Sequence, residues 1–491
     1  MNEDFDTLPI TLGLLGIISF NFFVGLDPAE QVFCALLITM AVLISICIAM
    51  IFFSKRSRER RKRRNTINEL PKSITANKDS VFLGIEADLK IPIYISDSVR
   101  CRHIHILGAT GSGKTESVIL NFLRQDIERG LGSIVLDAKG DISFMNHLKT
   151  WVPSENLRIF DLGSESSLTY DPISIGSPLE SAQRLFSSFS WSEQYYKSKA
   201  LSALQRLFQN HFERHKKNPT LVDLSEYLES PESYLSAALS PTYSKKMAEN
   251  EFQDLGGLRD QVKSLGIGHL SKILSPKQPD IELEKAGYGQ VIYFRLQSLM
   301  SPQLVTTLGK LVINHLNHIA GTAHSKGTVE GRSKLIPTYL DEFASFACPE
   351  FADLISKARS AGIALHFSHQ SIGDLADVSN GFLNRITDNS ATKIVLRIND
   401  PDSAEFLSRS FGTKLYQKIT QRITNAKDVD VAEVLEDGTR REAHQFRAAP
   451  DLLKTLPTGM GSVLVAHGEN TPHGASSVFK IIFPRLKEKI V

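Results

Sequence analysis

His103-Ile104-His105-Ile106-Leu107-Gly108-Ala109-Thr110-Gly111-Ser112-Gly113-Lys114-Thr115 is the stretch that decides the fold. A β-type run, His103 to Leu107, leads into Gly108–Thr115, which satisfies G-x-x-x-x-G-K-[ST] at every fixed position. Behind it, Val118, Ile119, Phe122 and Leu123 recur on one side of a helical pattern. Strand, glycine loop and helix in this order form a phosphate cradle. The glycines let backbone N–H groups turn inward around phosphate oxygens, and the helix N-terminus adds partial positive charge. Gly108, Ala109, Thr110, Gly111, Ser112, Gly113, Lys114 and Thr115 are therefore the expected nucleotide-binding segment. Lys114 is expected on the β- and γ-phosphates, and the Thr115 hydroxyl on Mg²⁺. His103 and His105 read as structural strand-end histidines.

Downstream, Leu335-Ile336-Pro337-Thr338-Tyr339-Leu340-Asp341-Glu342 is a short apolar run ending in two acids, the form of a Walker B strand. Asp341 is expected to orient the Mg²⁺ shell and Glu342 to activate the attacking water, with ATP as nucleotide. Pro337 is unusual inside a central strand, so the paired part is placed from Thr338 to Leu340. Gly362 to Gln370 reads as a further strand with a polar tip. Gln370 is the expected γ-phosphate sensor, with His366 and His369 as bystanders. Arg359 lies just before that strand; by spacing alone it reads as a solvated helix-end arginine. The only Asn-Lys-Asp string, Asn77-Lys78-Asp79, lacks the guanine-reading spacer and precedes the loop, which excludes a GTPase reading.

Further strands are expected at Ser133–Asp137, Leu157–Asp161, Gln290–Arg295, Thr392–Arg397 and Gly461–Ala466, with helices at about Pro302–Ile319 and Pro401–Phe411. Continuous Val/Ile/Leu runs alternating with helical patterns imply an α/β, doubly wound parallel sheet. Residues 177–285 lack a convincing strand. Tyr196, Ala200, Ala203, Leu204, Leu207, Phe208, His211 and Phe212 recur at helical spacing, and Thr220-Leu221-Val222-Asp223 has capping-box form. This stretch is read as an all-helical insertion with its own core, splitting a nucleotide-binding domain into residues 76–176 and 286–491.

The chain opens with two apolar runs, about Leu8–Leu26 and Val32–Phe53, separated by Asp27-Pro28-Ala29-Glu30-Gln31. Each is long enough to cross a hydrocarbon core of roughly 30 Å as a helix, and the short break implies an antiparallel hairpin over residues 1–53. The acidic lead argues against a cleaved signal peptide. Lys55, Arg56, Arg58, Arg60, Arg61, Lys62, Arg63 and Arg64 follow the second run, within a basic juxtamembrane linker over residues 54–75. Such clusters stay on the cytoplasmic side, so both termini and the large domain are expected there. The whole chain carries +2, the first 53 residues five negative charges, and Ser54–Arg64 seven net positive charges. Residues 65–491 are thus formally neutral, and bulk charge gives no support for nucleic-acid binding, leaving only a local basic channel. The four cysteines include no CxxC pair, so neither a zinc site nor a disulfide framework is indicated.

Taken together, "HIHILGATGSGKTES", "IVLDAKGD", "LRIFDLG", "PTLVDL", "YLDEFASF", "KARSAGIALHFSHQSIGDL" and "DNSATKIVLRINDPDSAEFLSRSFGT", in this order after an N-terminal hairpin, resemble the coupling proteins of type IV secretion and conjugation systems, the TraD/TraG/TrwB-like P-loop ATPases. The resemblance implies a RecA/HerA-like motor in a homo-hexameric ring at the bacterial inner membrane. It implies DNA binding without sequence preference, and partnership with a relaxase or nucleoprotein substrate and with secretion-channel proteins. It also implies that Arg359 acts in trans on a neighbour's nucleotide. Asp137, in "LDAKGD", matches a family motif but has no role from its chemistry. The short stretch after the last strand pattern shifts substrate recruitment to the helical insertion or to an adaptor. Two other readings remain: an FtsK/HerA-like DNA pump, and an ATP-binding receptor or scaffold that translocates nothing.

Overall fold

The computed structural model describes residues 78–239, 243–299, 301–326, 335–423, 434–465 and 477–484, together with residues 27 and 40. The expected membrane hairpin and basic linker lie outside the described residues. Among the described residues, no helix is long and apolar enough to cross a membrane.

Thirteen strands are described: β1 (Ser80–Glu86), β2 (Pro92–Ser96), β3 (Ile104–Leu107), β4 (Ser133–Asp137), β5 (Leu157–Asp161), β6 (Val291–Arg295), β7 (Ile336–Asp341), β8 (Ile363–His369), β9 (Thr392–Val395), β10 (Thr413–Ile423), β11 (Val434–Phe446), β12 (Met460–Val465) and β13 (Ser477–Ile482). Eleven form one sheet in the order β2-β1-β13-β12-β9-β3-β8-β7-β4-β6-β5, and β10 and β11 form a separate two-stranded ribbon. From β9 to β5 the strands are parallel, as their continuous apolar sequences imply. The other side, β12, β13, β1 and β2, is antiparallel, which the sequence reading did not anticipate.

The pleat sorts side chains onto two cores. Ile134 and Leu136 of β4 join one buried cluster with the helices Pro302–Lys326 and Pro349–Lys357, while Val135 joins a second with Leu120, Leu123, Phe144 and Leu148. Helices therefore cover both faces, and strands buried on both sides carry apolar residues at every position.

Pro337 lies inside β7, not before it: Ile336 pairs with Ile363 and Pro337 with Ala364. Proline is tolerated because Ile336 donates its N–H toward β8, to the carbonyl of Gly362, so the position lacking a donor faces β4. There the ladder begins only at Thr338.

Between β5 and β6 the described chain is helical, from Pro178–Ser188 through Gln194–His215 to Gly268–Leu274. Thr220 accepts the Asp223 N–H at 3.1 Å, and Asp223 accepts the Thr220 N–H at 2.8 Å, closing a capping box. Leu204, Leu207 and Phe208 are buried, but in the same continuous cluster as Leu340 and Phe367 under the sheet. The helical segment therefore has no core of its own, and Tyr196, expected on the buried stripe, is exposed.

Gly309 lets the helix Pro302–Lys326 lie directly on the turn that follows Glu342. A Cβ there would come within 2.4 Å of the Phe346 Cβ. Gly309→Ala is expected to destabilise the protein by about 1–3 kcal/mol through overpacking, read as a lowered thermal midpoint.

Buried histidines give the fold an acid limit. Burial pushes His103 down to about 4, and burial with the nearby Arg100 pushes His366 down to about 3. Both folded values lie below the unfolded value of about 6.5. Their contribution is therefore complete above that pH and is lost as pH falls through 6.5 toward the folded values. Going from pH 7 to pH 5 is expected to remove about 2 kcal/mol per histidine, and a series of thermal melts across this range checks it.

Candidate nucleotide site

The glycine loop leaves β3 at the carboxyl ends of the parallel strands. Gly111 and Gly113 have φ of +71° and +102°, a conformation that costs a side-chain-bearing residue, and Gly113 opens the wide first turn Lys114–Ile119 of the following helix. Lys114 Nζ donates to the Gly108 carbonyl at 2.7 Å, so its ammonium is folded into the cradle. The buried Ser112 hydroxyl has no partner among the described residues.

One strand, β8, separates β3 from β7, so the three strand ends lie side by side. Thr115 Oγ1 donates to Asp341 Oδ2 at 2.7 Å, and Ser368 Oγ donates to Asp341 Oδ1 at 2.5 Å. Glu342 follows in the left-handed region (φ +51°), and its N–H donates to Ser368 Oγ at 3.3 Å. Such a conformation is costly for glutamate and aims the side chain out of the strand direction. Gln370 bridges the two motifs: Thr110 Oγ1 donates to Gln370 Oε1 at 3.0 Å, and Gln370 Nε2 donates to Glu342 Oε2 at 3.4 Å. Thr110, Lys114, Thr115, Asp341, Glu342 and Gln370 are thus gathered at one place.

Arg359 is not among them. It is exposed in the short turn Ala358–Ala361 that precedes β8, where its charge bears on Cys101 and His103 before β3. That is the opposite edge of the parallel strands from the glycine loop.

Asp137 gains a structural account. It stands beside Asp341 in register, accepts the N–H groups of Gly140 and Asp141 at 2.9 Å each, and accepts the Tyr293 hydroxyl at 2.7 Å. It therefore shapes the turn after β4. Burial, and then the neighbouring Asp341, push its carboxyl up to about 6.

Two contributors escaped the sequence reading. Ser368 holds Asp341, and nothing in a single strand residue signals that. Asp374 binds the tip of β8, and the capping-box spacing Ser371-x-x-Asp374 could have pointed to it. His369, read as a bystander, lies between the two: its Nε2 is 2.5 Å from His105 Nε2.

The residues fit a nucleotide with Mg²⁺. A hydroxyl paired with one carboxylate is the sparse oxygen set that Mg²⁺ uses when phosphates and waters supply the rest, and the orphaned Ser112 hydroxyl sits in the cradle. Among the described residues, no group of three His, Cys, Asp or Glu side chains forms an all-protein metal site.

Residues 336–451 match the family described as the TraM recognition site of TraD and TraG, and residues 82–293 match the central domain of helicase HerA. The type 4 coupling protein DotL of Legionella pneumophila is 23% identical over 73% of this chain and 55% of its own length, so this chain spans about half of that curated relative. The solved conjugative coupling protein TrwBdeltaN70 superposes with a TM-score of 0.61 at 15% identity, covering 84% of this chain and 90% of that one. TrwB in complex with ADP and Mg²⁺ gives 0.59 at 16% identity over 82% and 90%. VirB4 of Thermoanaerobacter pseudethanolicus gives 0.55 at 16% identity over 83% and 97%. The likenesses to solved structures establish the α/β P-loop fold. Both family matches and the similarity to DotL support a kinship with the type IV coupling proteins of the TraD/TrwB family.

Proposed function

We propose that this chain is a membrane-anchored, ATP-hydrolysing coupling protein that binds DNA and delivers it to a conjugation or type IV secretion channel. The observation that carries the reading is the convergence of Lys114, the Thr115–Asp341 pair and the Thr110–Gln370–Glu342 bridge at adjoining strand ends. Lys114, released from the Gly108 carbonyl, neutralises phosphate charge. Thr115 and Asp341 would hold Mg²⁺, which would supply charge neutralisation to the nucleotide's phosphates. Glu342 orients and deprotonates the attacking water, and Gln370 reports the γ-phosphate to both motifs.

Arg359 lies too far from its own subunit's cradle to serve it, which fits a finger offered to a neighbour in a homo-hexameric ring. The two apolar runs and the basic cluster supply the bacterial inner-membrane anchor, with the ATPase unit cytoplasmic. The partners under this reading are DNA held through its phosphates, a relaxase or nucleoprotein substrate, and channel proteins. TrwB has been solved with ADP and Mg²⁺, which supports the same cofactors here.

The test is ATP hydrolysis by the purified full-length chain, with and without DNA, beside Lys114→Ala. A DNA-raised rate that Lys114→Ala abolishes is the expected result, and DNA binding should weaken steeply with salt. Hydrolysis indifferent to DNA would replace DNA with a protein cargo. Nucleotide binding without hydrolysis would leave a receptor or scaffold.

A further inference from the structure

We propose that Asp374 is the positioning residue of the site, fixing Gln370 in reach of both the glycine loop and Glu342. This rests on the reading of Gln370 as the residue that meets the γ-phosphate. Gln370 is exposed and sits just past β8, where strand pairing no longer fixes the backbone. A glutamine side chain there would lose substantial rotamer freedom each time it engaged a ligand.

The Asp374 carboxylate supplies the missing restraint. Its Oδ2 accepts the N–H of Gln370 at 2.9 Å and the N–H of Ser371 at 3.0 Å, and its Oδ1 accepts the Ser371 hydroxyl at 3.2 Å. The Asp374 N–H in turn donates to the Ser371 carbonyl at 3.3 Å. The same carboxylate lies 3.3 Å from His369 Nδ1, whose closer partner is the Ser371 carbonyl at 2.7 Å. A carbonyl oxygen only accepts, so His369 Nδ1 carries a proton, and its Nε2 meets His105 Nε2 on β3 across a 2.5 Å contact. The two rings also stack. The β8 tip is thereby tied through a buried imidazole pair to the strand that carries the glycine loop. Two backbone N–H groups of the tip, the Ser371 hydroxyl and the His369 ring converge on the Asp374 carboxylate, while the Gln370 side chain extends toward Thr110 and Glu342.

Misplacing a group by about 1 Å can cost about 100-fold in rate, so loss of this restraint is expected to appear in turnover. In the purified full-length chain with ATP and Mg²⁺, Asp374→Ala should lower kcat by about 10–100-fold while changing nucleotide Kd by less than about 3-fold. Asp374→Asn keeps one oxygen for both backbone N–H groups and an amide for the Ser371 hydroxyl, so it should retain most of the activity. The double variant Gln370→Ala/Asp374→Ala should be no slower than Gln370→Ala alone, because both changes remove the same interaction. Thermal melts accompany each variant. If Asp374→Ala does not fold, Asp374→Glu, which keeps the charge but moves the carboxylate by one methylene, is read in its place and should also be slow. The proposal is overturned if the two substitutions multiply, if Asp374→Ala turns over normally while Gln370→Ala is slow, or if the loss is in Kd. A Gln370→Ala variant with normal turnover would instead overturn the reading of Gln370 on which the proposal rests.

Discussion

Glu342→Gln is expected to lower ATP turnover by about 10²–10⁴-fold while leaving nucleotide binding intact. The amide keeps the size of the side chain and can still meet Gln370 Nε2, but it cannot take a proton from water. Glu342 touches the glycine loop only through Gln370 and Thr110, so the loop's own phosphate contacts persist. The variant should therefore hold ATP in a long-lived complex, and a fluorescent nucleotide titration beside a turnover assay separates the two properties. Turnover within about 3-fold of the parent would remove Glu342 from the chemistry and would shift the general-base role elsewhere.

Asp126→Ala is expected to cost about 3–5 kcal/mol of stability, the largest effect foreseen for a residue remote from the nucleotide. Asp126 lies on the helix Leu120–Glu128 that follows the glycine loop, with its side chain wholly buried. Arg100, equally buried, donates to both of its oxygens at 2.8 and 2.6 Å, Tyr339 donates at 2.5 Å and Arg129 at 2.9 Å. Burial alone would raise the carboxyl's pKa, but the charge and hydrogen bonds of Arg100, followed by Tyr339 and Arg129, hold it below the ordinary value. Removing the carboxylate leaves the buried Arg100 guanidinium with Asp97, at 3.1 Å and partly exposed, as its remaining acid partner, which is why the cost exceeds that of a surface ion pair. The check is the unfolding midpoint, with Arg100→Met added to Asp126→Ala. The second change should recover part of the loss, since it removes a buried charge that has lost its main partner. A midpoint equal to that of the parent would refute the assignment.

Much of the parallel half of the sheet was legible because a strand buried on both faces writes its own signature. Ser133–Asp137 is such a run, buried throughout, and the structure has a strand over the same residues; Leu157–Asp161 is also a strand as expected, although at the sheet edge and only partly buried. The antiparallel side was not legible. β1 and β2 are joined across a register shift between Phe82 and Gly84, and β1 finds its other neighbour in β13, near the far end of the described chain. No local pattern encodes such a partner. The ribbon of β10 and β11 was equally hidden, and its Leu415 and Tyr416 are exposed.

At the nucleotide site the divide runs between motif and scaffold. Residues whose chemistry demands a particular type at a set spacing, such as Lys114, Thr115, Asp341 and Glu342, could be read directly. Ser368 could not, because only folding brings its hydroxyl to Asp341, and Asp374 left no trace beyond the spacing Ser371-x-x-Asp374. Pro337 failed as a boundary marker for a related reason: whether a missing donor matters depends on which neighbour it faces, and strand order sets that.

The strand order also sets a schedule for synthesis. β3, which carries the glycine loop, pairs with β8 and β9, and both are encoded far downstream of it. At the usual pace of translation, about 5–20 residues per second, Leu107 leaves the ribosome roughly 15–60 s before its partner Val395. Until β8 has been made the apolar residues of β3 have neither flanking strand, and until β9 follows they have only one. A nucleotide cradle on β3 therefore cannot be complete before β8 and β9 have been made. A ligand of that cradle can thus add to folding stability only after those strands have been made.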